Sequence, residues 1–104
     1  ITEKTLVLGI DVGSEMHYAR AFDYRGIEYS KKPFKFSNTE AGFLTFKEWI
    51  RDIKERHEKD KVVSGMEPTG HYWFNLGKFL QDNEMKPVLV NPHHVKKSKE
   101  LDEQ

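Results

Sequence analysis

Leu6-Val7-Leu8-Gly9-Ile10-Asp11 and Val62-Val63-Ser64-Gly65-Met66-Glu67 decide how this chain reads. Each run is short, β-prone and closed by a carboxylate. Turn chemistry follows at once, Val12-Gly13-Ser14 after the first and Pro68-Thr69-Gly70 after the second. If the two strands lie side by side and parallel, both carboxylates project from the same end of a sheet. A pair of hard oxygen donors there suits a divalent cation. The apolar residues of the first run are continuous rather than alternating, so residues 5–11 are expected to be buried on both faces.

Outward from these runs the chain alternates in period. His17-Tyr18-Ala19-Arg20-Ala21-Phe22 reads as a second strand, and Asp23-Tyr24-Arg25-Gly26 as a type I turn. Residues 27–36 read as a third strand, with Pro33 marking an exposed edge or an irregularity. The period then changes. Ser37, Asn38 and Thr39 are all good helix caps, and Glu40 stands three residues after Ser37 as in a capping box. Phe43, Phe46, Ile50, Ile53 and His57 follow at helical spacing, with Leu44 and Trp49 widening the stripe, for a helix of about five turns. Residues 61–66 give a fourth strand. Thr69 is expected to cap a second helix holding Tyr72, Trp73, Leu76, Phe79 and Leu80. Residues 87–90 are expected as a short buried strand, and Asn91-Pro92 starts a third helix with Val95, Lys96, Lys97 and Lys99.

The order β-β-β-α-β-α-β-α predicts an α/β fold. An antiparallel meander of three strands is followed by parallel fourth and fifth strands, in a mixed sheet flanked by helices. The first strand belongs at the centre, where the strand order changes direction. Ligands favour the carboxyl ends of strands at such a point, and Asp11 and Glu67 both arrive there.

Composition narrows the function classes. One domain of 104 residues is long enough for a real core. Lysine plus arginine equals aspartate plus glutamate at 17 each, so any nucleic-acid surface must be local or supplied by a larger protein. With no cysteine, thiolate metal sites and disulfide scaffolds are excluded, and a reducing, cytoplasmic setting is expected. No apolar stretch approaches the ~20 residues of a membrane span, so no membrane partner is expected. The chain opens at Ile1 and stops in a charged run, which reads as a piece of a longer protein.

Asp11 is the leading site candidate, because a charge closing an apolar strand is costly without a cation or hydrogen-bond partners. The alternative is a carboxylate that caps the Val12-Gly13-Ser14 turn. Glu67 gains from its loop: Pro68 fixes the exit angle, Thr69 caps the next helix and Gly70 allows a close backbone approach. His71 and Tyr72 are placed to stack on a base or meet a phosphate, or else are simply solvated; Trp73 is expected in the core. His93 and His94 point about 100° apart on a helix and do not converge on a metal. With Lys96, Lys97 and Lys99 they form a polar face that suits a phosphate backbone or plain solvent. His57, Lys31, Lys32 and Lys35 read as surface residues, and Ser14 lacks a partner base.

Gly9-Ile10-Asp11-Val12, Glu67-Pro68-Thr69-Gly70-His71-Tyr72-Trp73, and Val90-Asn91-Pro92 with Val95-Lys96 together resemble a known family. It is the N-terminal domain of the DEDD-type insertion-sequence transposases, a domain similar to the Holliday-junction resolvase RuvC and of RNase H-like fold. The resemblance implies a DNA recombinase that cuts and rejoins DNA with four acidic residues holding magnesium, or manganese in its place. It further implies a structured guide (bridge) RNA and a homo-oligomer of the full-length protein. Asp11 matches the first acid and Glu67 the second, while Thr69, His71, Tyr72, Lys96 and Lys97 are the candidate nucleic-acid contacts. The last two acids belong to a Lys-x-Asp-x-x-Asp-Ala-like segment that this sequence lacks, and Asp102 is given no role. A C-terminal domain carrying a serine nucleophile is also missing. Residues 1–104 are therefore expected to be a catalytic-domain fragment that is inactive alone.

Two other readings stay open. Gly9-Ile10-Asp11-Val12-Gly13-Ser14 looks like the first phosphate loop of the actin, Hsp70 and sugar-kinase group, although a second such loop is missing. A non-catalytic module binding RNA or protein, with both acids as turn formers, is the other.

Overall fold

The computed structural model describes residues 1–67 and 70–90. The elements run β1 (Thr5–Asp11), β2 (Met16–Phe22), β3 (Phe34–Ser37), α1 (Glu40–Arg56), β4 (Lys61–Met66), α2 (Phe74–Asp82) and β5 (Pro87–Leu89). They form one sheet in the order β3-β2-β1-β4-β5, antiparallel at β3-β2 and β2-β1, and parallel at β1-β4 and β4-β5. This is the expected RNase H-like mixed sheet, with β1 at its centre.

Handedness then decides where the helices go. α1 joins β3 to β4 and α2 joins β4 to β5, both parallel crossovers running the same way across the sheet. Right-handed connections place both helices on one face. The core lies between. Leu6, Leu8 and Ile10 of β1, Val62 and Met66 of β4, and Phe36 of β3 meet Phe43, Phe46, Ile50 and Ile53 of α1 and Leu76 and Leu80 of α2. Phe36 stacks on Phe46 with ring centroids 4.1 Å apart, and Phe79 reaches Phe43 at 5.1 Å.

The opposite face is open among the described residues, which corrects the expectation for β1. Its burial alternates: Leu6, Leu8 and Ile10 are buried, Val7 and Gly9 half-buried, and Asp11 exposed. The unbroken apolar run misled because valine and glycine are tolerated on a half-covered face. β5 differs too. It is an edge strand, with Val88 and Leu89 exposed rather than buried.

The expected third strand over residues 27–36 contracts to β3. Upstream, pairing with β2 is reduced to a single bridge between Phe22 and Glu28. The Ala21 amide donates to the Ser30 hydroxyl instead of a carbonyl, while the Tyr29 amide still donates to the Ala21 carbonyl at 2.8 Å and its ring stacks on His57 at 3.8 Å. Pro33 offers no amide to a ladder. Ser37 belongs to β3 and is not the cap of α1. Thr39 is: its hydroxyl accepts from the Gly42 amide at 3.1 Å and pairs with the Ser37 hydroxyl at 2.6 Å. Leu44 lies outside the apolar stripe, exposed on α1.

Helix α2 begins later than expected. Trp73 holds its cap position without a side-chain hydrogen bond, so Tyr72 and Trp73 precede the helix and Thr69 is too far upstream to cap it. Thr69 itself lies outside the described residues, as do the third helix and its Lys96 and Lys97.

Candidate metal centre

The β1–β4 ladder pairs Leu8 with Ser64, Gly9 with Gly65 and Ile10 with Met66. Asp11 is the last residue of β1, and Glu67 follows directly on the last residue of β4. Adjacent strands lie ~4.8 Å apart and side chains alternate between faces. Gly9, Asp11, Gly65 and Glu67 therefore share the face that the helices leave open. Both carboxylates are exposed, and both line one cleft of about 330 Å³ whose floor is Gly9 and Gly65 and whose wall includes Tyr18 and Arg20. The donor set fits a hard divalent cation in kind: two carboxylates from adjacent strand ends, with room for water. Among the described residues no group of three acidic, histidine or cysteine side chains gathers, so two ligands are what this part of the chain offers.

The turn after Asp11 is held from outside. The Gly13 amide donates to Nδ1 of His17 at 3.2 Å. Asn38 donates its backbone amide to the Glu15 carbonyl at 2.8 Å and its Nδ2 to the Ser14 carbonyl at 3.4 Å. The Asp11 carboxylate is thus not what closes this turn. A Gly13 amide already spent on His17 also makes the loop a poor phosphate cradle. His17 is fully buried between Phe36 and Phe43. Burial pushes its imidazole below the ordinary value of 6.5, against a smaller upward pull from Asn38.

The remaining candidates fall elsewhere. His71 and Tyr72 are exposed, with rings 4.6 Å apart, and neither lines the cleft with the two acids. Trp73 packs half-buried against the core. Gly70 sits at φ +58°, so its backbone conformation calls for glycine, while an added Cβ would meet only the Tyr72 ring at 3.7 Å. Ser14 has no base beside it among the hydrogen bonds of the described residues. What the sequence reading missed is the partner row across β2 and β3: Asp11 pairs with Tyr18, and Tyr18 with Lys35. Only the register reveals it.

A mixed sheet of this order, with two carboxylates at the ends of its central parallel pair, defines an RNase H-like domain. Residues 8–104 match the family model for the DEDD transposase of IS110 elements, described as a transposase. The chain belongs to this family, and the match takes in the N-terminal RuvC-like domain. Among curated proteins none matches the chain. Membership makes it a domain of a DNA-processing enzyme of insertion-sequence transposition, in a family generally dependent on divalent metal. No helix among the described residues is long and apolar enough to cross a membrane.

Proposed function

We propose that Asp11 and Glu67 are two of the acidic ligands of a magnesium (or manganese) site that cuts and rejoins DNA strands during transposition of the element. The observation that carries this is their position, one step past the paired residues Ile10 and Met66 on adjacent parallel strands and lining one cleft. A divalent ion bound there supplies Lewis acidity toward the scissile phosphate. The chain's own part is placement. The β1–β4 ladder fixes the spacing of the two carboxylates, and the core beneath Ile10 and Met66 keeps the strand ends from moving apart. His17 and Asn38 hold the turn beyond Asp11, which sets the angle at which that carboxylate leaves the sheet.

The last two acids come, in this reading, from an Asp-x-x-Asp segment further along the transposase, and residues 1–104 form its RuvC-like catalytic domain only in part. A guide RNA, Thr69, His71, Tyr72, Lys96 and Lys97 as nucleic-acid contacts, assembly into a homo-oligomer and a cytoplasmic setting belong to the same proposal. Asp11→Asn and Glu67→Gln in the transposase should each abolish recombination while leaving the circular dichroism and melting temperature close to wild type. Normal recombination by a well-folded Asp11→Asn protein removes Asp11 from the chemistry.

A further inference from the structure

The open sheet face carries more than the two acids. Asp11 is the register partner of Tyr18, and Tyr18 of Lys35, so the three stand in a line across β1, β2 and β3. All three are exposed, while their neighbours Ile10, His17, Ala19 and Phe36 point into the core. With strands ~4.8 Å apart, the Lys35 backbone lies ~10 Å from that of Asp11. The line runs from carboxylate through aromatic ring to ammonium. Arg20, the cation that lines the cleft itself, is already bound to Glu28 at 2.7 Å. Lys35 takes part in none of the ion pairs among the described residues. With formal charge balanced over the whole chain, a phosphodiester must find its attraction locally, and this line supplies it.

From this we infer that Tyr18 and Lys35 position the DNA strand to be cut: Lys35 pairs with a phosphate flanking the scissile one, and Tyr18 stacks against the nucleoside between. The inference rests on the assignment of Asp11 and Glu67 made above. The arrangement is directional. Bare carboxylates repel a phosphate and an ammonium attracts one, so the strand is anchored at Lys35 and crosses Tyr18 toward the acids. Stacking on a tyrosine is tolerant of base identity, so the row supplies register on the backbone rather than sequence choice.

The test is metal-dependent cleavage by the whole transposase of a DNA oligonucleotide carrying the cleavage site, with KM and kcat resolved and the salt dependence measured. Lys35→Ala should raise KM about fivefold or more with kcat at saturation retained, and lower the slope of log affinity against log salt by about 1. Lys35→Arg should recover most of the affinity. Tyr18→Ala should raise KM about fivefold or more, and Tyr18→Phe should behave as wild type. Lys47→Ala, on α1 behind the sheet, serves as the control and should change nothing. An inactive Asp11→Asn beside unaltered KM and salt slope in the Lys35 and Tyr18 variants overturns the row alone. An active Asp11→Asn overturns the metal assignment and the row with it. Weakened binding of a structured RNA with the DNA KM unchanged overturns the choice of DNA.

Discussion

Replacing His17 with phenylalanine isolates what the buried imidazole does for the turn beyond Asp11. The site is already aromatic, with Phe36 at 5.3 Å and Phe43 at 6.3 Å, so a phenyl ring keeps the packing while removing both the Nδ1 acceptor and the buried Nε2, which has no partner among the described residues. The Gly13 amide, now donating to Nδ1 at 3.2 Å, is left without a partner. An orphaned buried donor costs about 1–3 kcal/mol, and both the partial burial of this bond and the removal of the unpartnered Nε2 point to the lower half of that range. For a domain of this size each kcal/mol moves the melting temperature by about 4–8 °C, so His17→Phe should melt about 5–15 °C lower at neutral pH. Acid supplies the second readout. Burial lowers the folded-state pKa of His17 below its ordinary 6.5. The unfolded chain therefore binds the proton more readily. The neutral ring's contribution is complete above that value and is lost as pH falls through the folded pKa. The phenylalanine variant has no such titration, so the gap in melting temperature should narrow on acidification. Thermal unfolding followed by circular dichroism on both sides of pH 6.5 gives both numbers. A variant that melts with wild type at neutral pH and keeps its acid profile would refute the reasoning.

Gly42→Ala should be destabilising although alanine favours helix, because its Cβ would lie 2.1 Å from the Ser37 carbonyl oxygen; urea unfolding should show a net loss of about 1–3 kcal/mol, and a gain would contradict it. Asp23 is buried; that pushes its carboxyl up, but hydrogen bonds from the Ile27 amide and from the Arg25 side chain and amide outweigh it and hold the pKa below 3.8. Its stabilisation is therefore present above that value and lost as pH falls through the lower folded pKa, and Asp23→Asn should flatten the acid limb of an unfolding titration. The 104-residue chain, offering two carboxylates, should bind magnesium with a Kd of about a millimolar or weaker and cleave no DNA. An NMR titration of the Asp11 and Glu67 amides measures the first, and micromolar affinity would show that further ligands are at hand.

The centre of the fold could be read directly because β1 and β4 announce themselves twice, by apolar runs and by the acids that close them. Helix α1 was equally plain, since Phe43, Phe46, Ile50 and Ile53 keep one stripe. The misreadings share a cause: they needed tertiary context. Ile27 and Tyr29 look like strand residues, yet their pairing with β2 amounts to the single Phe22–Glu28 bridge, and the Tyr29 ring stacks on His57. Thr69 looks like a cap, yet α2 starts at Phe74 with no side-chain cap at all. The open face was hidden because Val7 and Gly9 fit a buried strand as well as a half-covered one. The placement of Asp11 beside Glu67 followed from strand order alone, whereas the Tyr18–Lys35 row requires pairing register, which composition does not encode.

Gly9 and Gly65 have a practical consequence. At Gly9 a methyl group would rest 3.5 Å from the Phe22 ring, and at Gly65 it would rest 3.6 Å from Val90, ordinary contact distances in both cases. The molecule thus comes with a built-in way to raise the ground under the carboxylates in graded steps, alanine first and valine after, without altering an ionisable group. Such a series would separate how near a substrate must settle from how the acids act once it has.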